Sequence, residues 1–207
     1  MTELLIRYPQ LNLCKEEIIK AADAMEECYK AGGKILLCGN GGSAADCEHI
    51  SGELLKGFLL QRPLQYDDRN KIYDILPYDE ATAFANKLQR GIPCIPLTSL
   101  SASMTAFMND VDSSMVFAQL TYALAKPNDI LFCISTSGNS ANIVNAIKVA
   151  KALGMKTIAL TGSKPNTDCA RNADITILAP ATETYLVQEL HLPIYHYLCA
   201  EIERRIF

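Results

Sequence analysis

The sequence predicts an α/β domain in which helices cover both faces of a parallel β-sheet. Short apolar runs that suit buried strands alternate along the chain with longer stretches of helical apolar spacing. Two polar segments also stand where a strand gives way to a helix, which is where open parallel sheets bind ligands. With 207 residues, 49% of them hydrophobic and 20% charged, the chain can bury the core of one such domain.

The first part of the chain is predicted to form two helices around one strand. Apolar residues share one face of residues 12–31, and Gly32 and Gly33 end that helix. An apolar run predicts the first strand at 34–38, and residues 44–56 predict the second helix. Residues 59–90 are polar and rich in turn formers, so we expect a loop that carries a short helix at 78–89.

The remaining elements continue the alternation of strand and helix. Strands are predicted at 92–97, 130–134, 156–161 and 174–177, and helices at 101–107, 113–125, 140–153, a short turn near Asp168, and 182–204. Because no linker or internal repeat interrupts this order, we expect one domain over residues 1–207 with helical extensions at both ends.

Composition excludes several classes of function. The net charge is −4 and no long basic run is present, which argues against nucleic acid as a ligand. Residues 1–15 lack the apolar core of a signal peptide and no apolar run is long enough to span a membrane, so we expect a cytoplasmic chain without membrane contact. The eight cysteines form no C-x-x-C pair, and Cys38, Cys94 and Cys133 lie in or beside predicted strands as buried, reduced residues.

The segment 135–140, Ser-Thr-Ser-Gly-Asn-Ser, is the most informative motif. It joins the strand at 130–134 to the helix at 140–153 and carries four hydroxyls at a helix N-terminus. Unpaired N–H groups and partial positive charge at that end attract anions, and the hydroxyls of Ser135, Thr136, Ser137 and Ser140 add donors. One helix cap needs a single hydroxyl, so the surplus makes a phosphate cradle an alternative to ordinary capping.

A second polar loop, Gly39-Asn40-Gly41-Gly42-Ser43, follows the first predicted strand. Its glycines allow the backbone to approach a ligand closely, although their order is not that of a dinucleotide site. A tight turn without a ligand is the alternative. In a parallel sheet both loops open at the same edge, which favours one site between them.

Three histidines are candidates for metal binding or proton transfer. His49 and Glu53 are four residues apart on the second helix and share a face, a spacing that suits zinc as well as a solvated ion pair. His191 and His196 lie on the last helix near Gln188. Gln188 and His196 are about 12 Å apart along a straight helix, so one metal joins both only if the helix bends at Pro193, the side chains lean together, or different subunits contribute.

Several ordered motifs resemble the sugar isomerase (SIS) domain family, and most closely the bacterial phosphoheptose isomerases. They are Cys38 to Asp46, His49 to Leu54, Asn109-Asp110, Ile134 to Asn142, and Gln188 to His191 with His196. The resemblance covers most of the domain, and only the longer connection at 59–90 falls outside it.

The resemblance implies a flavodoxin-like three-layer αβα sandwich with a five-stranded parallel sheet, and a homotetramer with active sites between subunits. It also implies an isomerase that converts sedoheptulose 7-phosphate to D-glycero-D-manno-heptose 7-phosphate, a step in making lipopolysaccharide or surface-glycan heptose. Site roles follow by resemblance alone. The substrate would contact Asn40, Gly41, Gly42, Ser43, Glu53, Asn109, Asp110, Ser135, Thr136, Ser137, Ser140 and Gln188. Zinc would be held by His49, Glu53, Gln188 and His196, and proton transfer would fall to Glu53 and His196.

Three departures from the family pattern leave alternatives open. They are the insertion at 59–90, Tyr185 where some members carry an aspartate, and Pro193 inside the last helix. An isomerase of another sugar phosphate is one alternative. A phosphosugar sensor, or an adaptor resembling the DnaA initiator-associating protein, would need the loops but not the carboxylate, and Glu53 together with His49 and His196 favours an enzyme.

Overall fold

The computed structural model describes residues 1–207 and contains one five-stranded sheet. The strands are β1 (Ile35–Gly39), β2 (Cys94–Pro96), β3 (Ile130–Ser135), β4 (Lys156–Thr161) and β5 (Ile175–Leu178). All neighbours are parallel and the order across the sheet is β2-β1-β3-β4-β5. This is the flavodoxin-like order, so the predicted fold class is confirmed.

Ten α-helices surround the sheet. They are α1 (Thr2–Arg7), α2 (Lys15–Lys30), α3 (Gly42–Leu54), α4 (Tyr66–Tyr73), α5 (Tyr78–Lys87), α6 (Ser101–Asp110), α7 (Val116–Leu124), α8 (Ala141–Ala152), α9 (Asp168–Asn172) and α10 (Thr184–Ile206). None of them is both long enough and apolar enough to cross a membrane.

The sheet separates two hydrophobic cores. On one face, α2, α3 and α10 pack 31 buried residues against alternate strand positions such as Leu37, Phe132 and Ile158. On the other, α7 and α8 pack a smaller core of 16 buried residues against the intervening positions, Leu36 and Leu131 among them. Neighbouring strand residues point to opposite faces, and helices cover both faces. Every residue of β1 and β3 is therefore buried, which is why both read as continuous apolar runs.

Several predicted boundaries shift for local reasons. The helix expected at 12–31 begins at Lys15, because residues 9–14 form a tighter 3₁₀ turn that starts at Pro9. The second helix begins at Gly42 rather than 44, because the glycine loop is a single tight turn. The final helix spans 184–206 instead of 182–204 and continues through the buried Pro193. Helix α1 was not predicted, since six residues are too few to show a periodic pattern.

The segment 59–90 contains two helices where the sequence predicts one. Helix α5 is close to the expected 78–89, but α4 occupies polar residues that read as turns. The two helices pack side by side, with Arg69 donating hydrogen bonds to α5. No residue of α4 is buried, so the helix lacks the apolar stripe from which a sequence pattern is recognised.

A buried ion pair, which we call the Arg62 clamp, fastens the start of this segment to the last helix. Arg62 Nε donates to Glu203 Oε1 at 2.7 Å, and both side chains are fully buried. Arg62 also donates to the carbonyl of Leu54, the last residue of α3, and its guanidinium lies 4.8 Å from the centre of the Phe207 ring. Glu203 accepts three further bonds from the backbone N–H groups of residues 58, 59 and 60.

All eight cysteines are buried and none forms a disulfide. The prediction that Cys38, Cys94 and Cys133 behave as small hydrophobic residues is confirmed. Cys38 and Cys133 are paired in register on adjacent strands, and their Sγ atoms are 3.3 Å apart. Burial raises the pKa of most of these thiols well above the ordinary value, Cys14 and Cys28 to about 11.

Candidate active site

The two polar loops lie side by side at one edge of the sheet. Because Gly39 at the end of β1 pairs in register with Ile134 of β3, the chain leaves both strands at the same level. Asn40 of the first loop and Asn142 on α8 exchange two side-chain hydrogen bonds, at 3.0 and 2.9 Å. The expected juxtaposition is therefore present, and a reciprocal pair of amides joins the first loop to the start of α8, the helix that follows the second loop.

The loop 135–140 carries hydroxyls that are not used to cap α8. Ser140 is the N-cap of α8, yet its side chain does not cap the helix. Its Oγ instead lies 3.3 Å from Oγ of the buried Ser135. The loop turns at Gly138, whose φ of +66° favours glycine and whose missing Cβ would lie 2.5 Å from Thr167 Oγ1. Hydroxyls and free backbone N–H groups at a helix N-terminus can hold a phosphate.

The other loop residues hold the turn in shape. Ser43 is buried, and its N–H donates to the carbonyl of Asn40 at 3.0 Å. Ser137 Oγ accepts from the N–H of Asn139 at 3.2 Å, and the Thr136 carbonyl accepts from Gly162. These bonds leave the outer faces of Asn40, Gly41 and Gly42 exposed at the mouth of the site.

His49, Glu53 and His196 come together where α3 passes α10. Nε2 of His49 lies 3.4 Å from Oε1 of Glu53 and 3.4 Å from Nε2 of His196. Glu53 is 17% exposed, and its Oε2 is 3.5 Å from the exposed Lys56 ammonium. Burial, followed by the charge of His49, lowers the pKa of His196, so the neutral imidazole is favoured at neutral pH.

Two residues that the sequence did not single out contact His49 from the other side. Tyr195, buried in the core, places its hydroxyl 3.0 Å from His49 Nδ1 and donates to Asp46 Oδ1 at 3.2 Å. Burial raises the pKa of Asp46 above its ordinary value, with the Tyr195 hydrogen bond acting in the opposite direction. Asp46 lies three residues before His49 on α3, a spacing that could have identified it, whereas Tyr195 required the packing of α10 to be known.

Gln188 lies at the opposite end of this helix pair, beside the glycine loop. A Cβ placed on Gly42 would meet Gln188 Nε2 at 2.6 Å. Since Gly42 faces Gln188 and His49 faces His196, α3 and α10 run in the same direction, and the two contacts are about 10–12 Å apart along the axes. Within one chain, the structure thus brings together three of the four predicted metal ligands, His49, Glu53 and His196. It leaves Gln188 beside the glycine loop, which is predicted to contact the substrate.

Asn109 and Asp110 are exposed at the end of α6, where their side chains hydrogen-bond to each other at 2.9 Å. The structure gives them no hydrogen bond to either loop. His191, by contrast, is fully buried under the site, with its Nε2 3.3 Å from the carbonyl of Thr161 and no partner for Nδ1. Its position beneath the sheet edge makes it a structural residue rather than a ligand.

The cluster of His49, Glu53 and His196 has the donor types of a zinc site, but one chain does not supply a complete set of ligands. Two donors about 2.05 Å from zinc at the tetrahedral angle lie about 3.3 Å apart, close to the two observed separations of 3.4 Å. However, no group of three or more His, Cys, Asp or Glu side chains is arranged to hold a metal ion in the structure. The residues therefore fit zinc in chemistry and in pair spacing, with at least one donor still to be supplied from outside the cluster.

Comparison with known proteins extends over nearly the whole chain. The SIS domain family model matches residues 10–67 and 81–162. It leaves unmatched residues 68–80, between the middle of α4 and the start of α5, and residues 163–207, which include α10. A phosphoheptose isomerase of Shewanella sediminis is 37% identical over 194 residues, which are 93% of this chain and 85% of that protein.

Solved structures agree with this result. A phosphoheptose isomerase from Francisella tularensis has a TM-score of 0.77 and 32% identity, covering 96% of this chain and 91% of the other. One from Neisseria gonorrhoeae has a TM-score of 0.73 and 30% identity, covering 97% and 94%. From sequence and structure together, the chain belongs to the SIS domain family and, within it, to the phosphoheptose isomerases.

Proposed function

We propose that the chain converts sedoheptulose 7-phosphate to D-glycero-D-manno-heptose 7-phosphate through an enediol(ate). The observation that carries the proposal is the meeting of Glu53 and His196 at His49 Nε2, each at 3.4 Å. A sensor or an adaptor would need the polar loops but no carboxylate beside two imidazoles. Membership of the phosphoheptose isomerases supports the same reaction.

Each group has a role that its position allows. A base removes a proton from C1 of the ketose, the electron pair forms the C1–C2 double bond, and a proton returns at C2 while another moves between the two oxygens. Glu53, only 17% exposed, is proposed as the base at carbon. His196, whose lowered pKa favours the neutral ring, is proposed to transfer the proton at oxygen. The hydroxyls of Ser135, Thr136, Ser137 and Ser140 are proposed to hold the phosphate.

Zinc, or a related divalent ion, is proposed as the cofactor, with His49, Glu53 and His196 as ligands and Gln188, supplied by a neighbouring subunit, as the fourth. When bound, the metal would stabilise the negative charge that develops on the enediolate oxygens. A carboxylate that binds a metal tightly is a weaker base, so measuring zinc affinity and turnover on the same variant separates the two roles of Glu53.

Active sites shared between subunits of a homotetramer are part of the proposal. Gly42 beside the loops and Glu53 are eleven residues apart on α3, about 16 Å along the helix axis. One chain therefore holds the phosphate loop and the base far apart, and a second subunit would bring them to one substrate. A groove of about 760 Å³ beside His196, lined by α1, α10 and residues 58–60, is large enough for a neighbouring subunit's side chains.

The direct test is conversion of sedoheptulose 7-phosphate by the purified protein with added zinc, followed by the appearance of the aldose. Ketose phosphates of five to seven carbons, assayed in parallel, test whether another sugar phosphate is the better substrate. Absence of turnover with every member of this panel would contradict the proposal and favour a sensor or an adaptor.

Glu53→Gln identifies the base. We expect turnover to fall below about 10⁻³ of the original, because the amide cannot accept the proton, while phosphosugar binding measured by calorimetry changes little. Glu48→Gln is the matched control, because Glu48 is an exposed carboxylate on the same helix. Turnover by Glu53→Gln similar to that of Glu48→Gln would remove Glu53 from the mechanism.

A further inference from the structure

Both ring nitrogens of His49 have close polar neighbours, and the neighbours of the two nitrogens differ. Nδ1 faces the hydroxyl of Tyr195 at 3.0 Å, on the side of the protein core. Nε2 faces Glu53 and His196 at 3.4 Å, on the side of the site. The tautomer of this imidazole decides whether a lone pair or an N–H group points into the site.

The hydrogen bonds on the core side favour one tautomer. Tyr195 has a single hydroxyl proton, and the hydroxyl donates it to Asp46 Oδ1, at 3.2 Å. The Tyr195 oxygen can then only accept a hydrogen bond from His49. This requires the proton on Nδ1 and leaves Nε2 with a lone pair.

On the site side, the same assignment needs a donated proton or a cation to meet the lone pair on Nε2. A lone pair on Nε2 beside the Glu53 carboxylate places two electron donors 3.4 Å apart, which is unfavourable unless a positive charge or a donated proton lies between them. His196 Nε2 lies 3.4 Å from His49 Nε2, within reach to donate such a proton, and a divalent cation would satisfy all three groups. With the proton on Nε2 instead, His49 would donate to Glu53 and would have no lone pair for a cation on this side.

We propose that Tyr195, supported by Asp46, is a positioning residue that keeps the proton of His49 on Nδ1 and its lone pair directed at Glu53 and His196. The hydroxyl does this through hydrogen bonds alone, since the Tyr195 ring is fixed independently in the core among the apolar residues of α10 and β1. The inference rests on the proposed function only for its consequence in metal binding. The tautomer itself is a property of the metal-free protein.

The first measurement is ¹⁵N NMR of the imidazoles in metal-free protein at a pH where they are neutral. The chain has only three histidines, so His49→Gln assigns the His49 signals by their disappearance. We expect a protonated Nδ1 and an unprotonated Nε2 for His49 in the original protein. In Tyr195→Phe we expect a mixture or a reversal of the two signals, because only the hydroxyl is lost.

The second measurement is zinc affinity, by competition with a chromophoric chelator and zinc alone. Loss of a hydrogen bond that orients a ligating histidine lowers metal affinity about 10- to 100-fold, which we expect for Tyr195→Phe. Tyr197→Phe is the matched control, because it removes a hydroxyl without a side-chain partner from the same helix. It should leave both the tautomer and the affinity unchanged.

Two results would overturn the proposal: Nε2–H as the His49 tautomer in the original protein, or an unchanged His49 spectrum in Tyr195→Phe. Asp46→Asn provides a second variant should Tyr195→Phe fold poorly, and it too should shift the tautomer, since an amide can donate to Tyr195. If zinc does not bind at all while the tautomer is as expected, the metal proposal fails and the positioning role stands.

Discussion

Gly42 stands at the first residue of α3 without room for a side chain. A Cβ there would meet Gln188 Nε2 at 2.6 Å, whereas one on Gly52 in the same helix would meet nothing within 4 Å. Neither residue has a positive φ, so alanine suits both backbones. Alanine variants at the two positions therefore distinguish the loss of the space that Gln188 occupies from the general effect of alanine on a helix.

We expect Gly42→Ala to displace Gln188 and to raise KM up to about 10-fold, the equivalent of one hydrogen bond to the substrate. Gly52→Ala should leave KM unchanged and stabilise the helix by about 0.5–1 kcal/mol. Steady-state kinetics and urea unfolding of both variants provide the comparison. An equal KM in the two variants would show that Gln188 does not contact the substrate.

His191 gives the molecule a pH dependence that is independent of the reaction. Burial lowers its pKa to about 4, and the bond to the Thr161 carbonyl only partly offsets this. In the unfolded chain the pKa is near 6.5, so the unfolded state takes up the proton first as pH falls. The contribution of neutral His191 is thus complete above about pH 6.5 and is lost towards pH 4, up to about 3 kcal/mol.

Urea unfolding at pH 7 and pH 4.5 measures this contribution. We expect the free energy of unfolding of the original protein to fall by about 2–3 kcal/mol more than that of His191→Gln over this interval. The glutamine variant keeps a polar side chain but has no proton to gain. Parallel losses in the two proteins would mean that other groups dominate the acid sensitivity.

At the scale of elements, the Arg62 clamp links three parts of the chain that the sequence keeps apart. It caps the end of α3, anchors residues 58–60, and holds α10 through Glu203. Although burial acts to raise it, the hydrogen bonds from Phe58 and Leu59 and from Arg62 hold the pKa of Glu203 below its ordinary value. The end of α3 that carries Glu53 is thereby fixed against the last helix.

Arg62→Met is expected to destabilise the protein by about 3–5 kcal/mol, because it leaves the buried carboxylate of Glu203 without its partner. Replacing both residues, Arg62→Met with Glu203→Gln, should recover part of this loss. Lys71→Met removes an exposed ion pair of the same segment and should cost less than about 1 kcal/mol. The clamp would be energetically unimportant if Arg62→Met cost no more than Lys71→Met in urea unfolding.

The elements that could be predicted are those whose burial leaves a pattern. The strands β1, β3 and β4 are buried runs, and α8 has a regular apolar face, so their positions are close to the predicted ones. Helix α4 has no buried residue and was missed for that reason. In the site, the two loops were evident from composition, but Tyr195 belongs to the core of α10, and its contact with His49 depends on how two distant helices pack.

At the scale of the whole molecule, the separation along α3 makes a prediction about assembly. If each active site combines the phosphate loop of one subunit with Glu53 of another, a single chain cannot catalyse the reaction. Light scattering should then give the mass of four chains in solution. A monomer with full activity would contradict the shared site.

Mixing two proteins, each defective in one half of the proposed site, tests the sharing itself. One carries Ser135→Ala with Ser137→Ala, and the other carries Glu53→Gln. After joint unfolding and refolding, mixed oligomers should regain up to about a quarter of the original activity, because each intact half is present in half of the subunits of a symmetric assembly. No recovery in mixed oligomers, confirmed by differently tagged chains, would place each site within one chain.

The burial of every cysteine leaves the outer surface without reactive sulfur. Since the thiolate is the nucleophile, buried thiols with raised pKa react slowly with alkylating reagents while the fold is intact. A single cysteine introduced at an exposed position, such as Lys71 on α4, would therefore be labelled selectively without altering the native sequence elsewhere. A spin label or fluorophore at that position would report whether chains associate and, if they do, the distances between them.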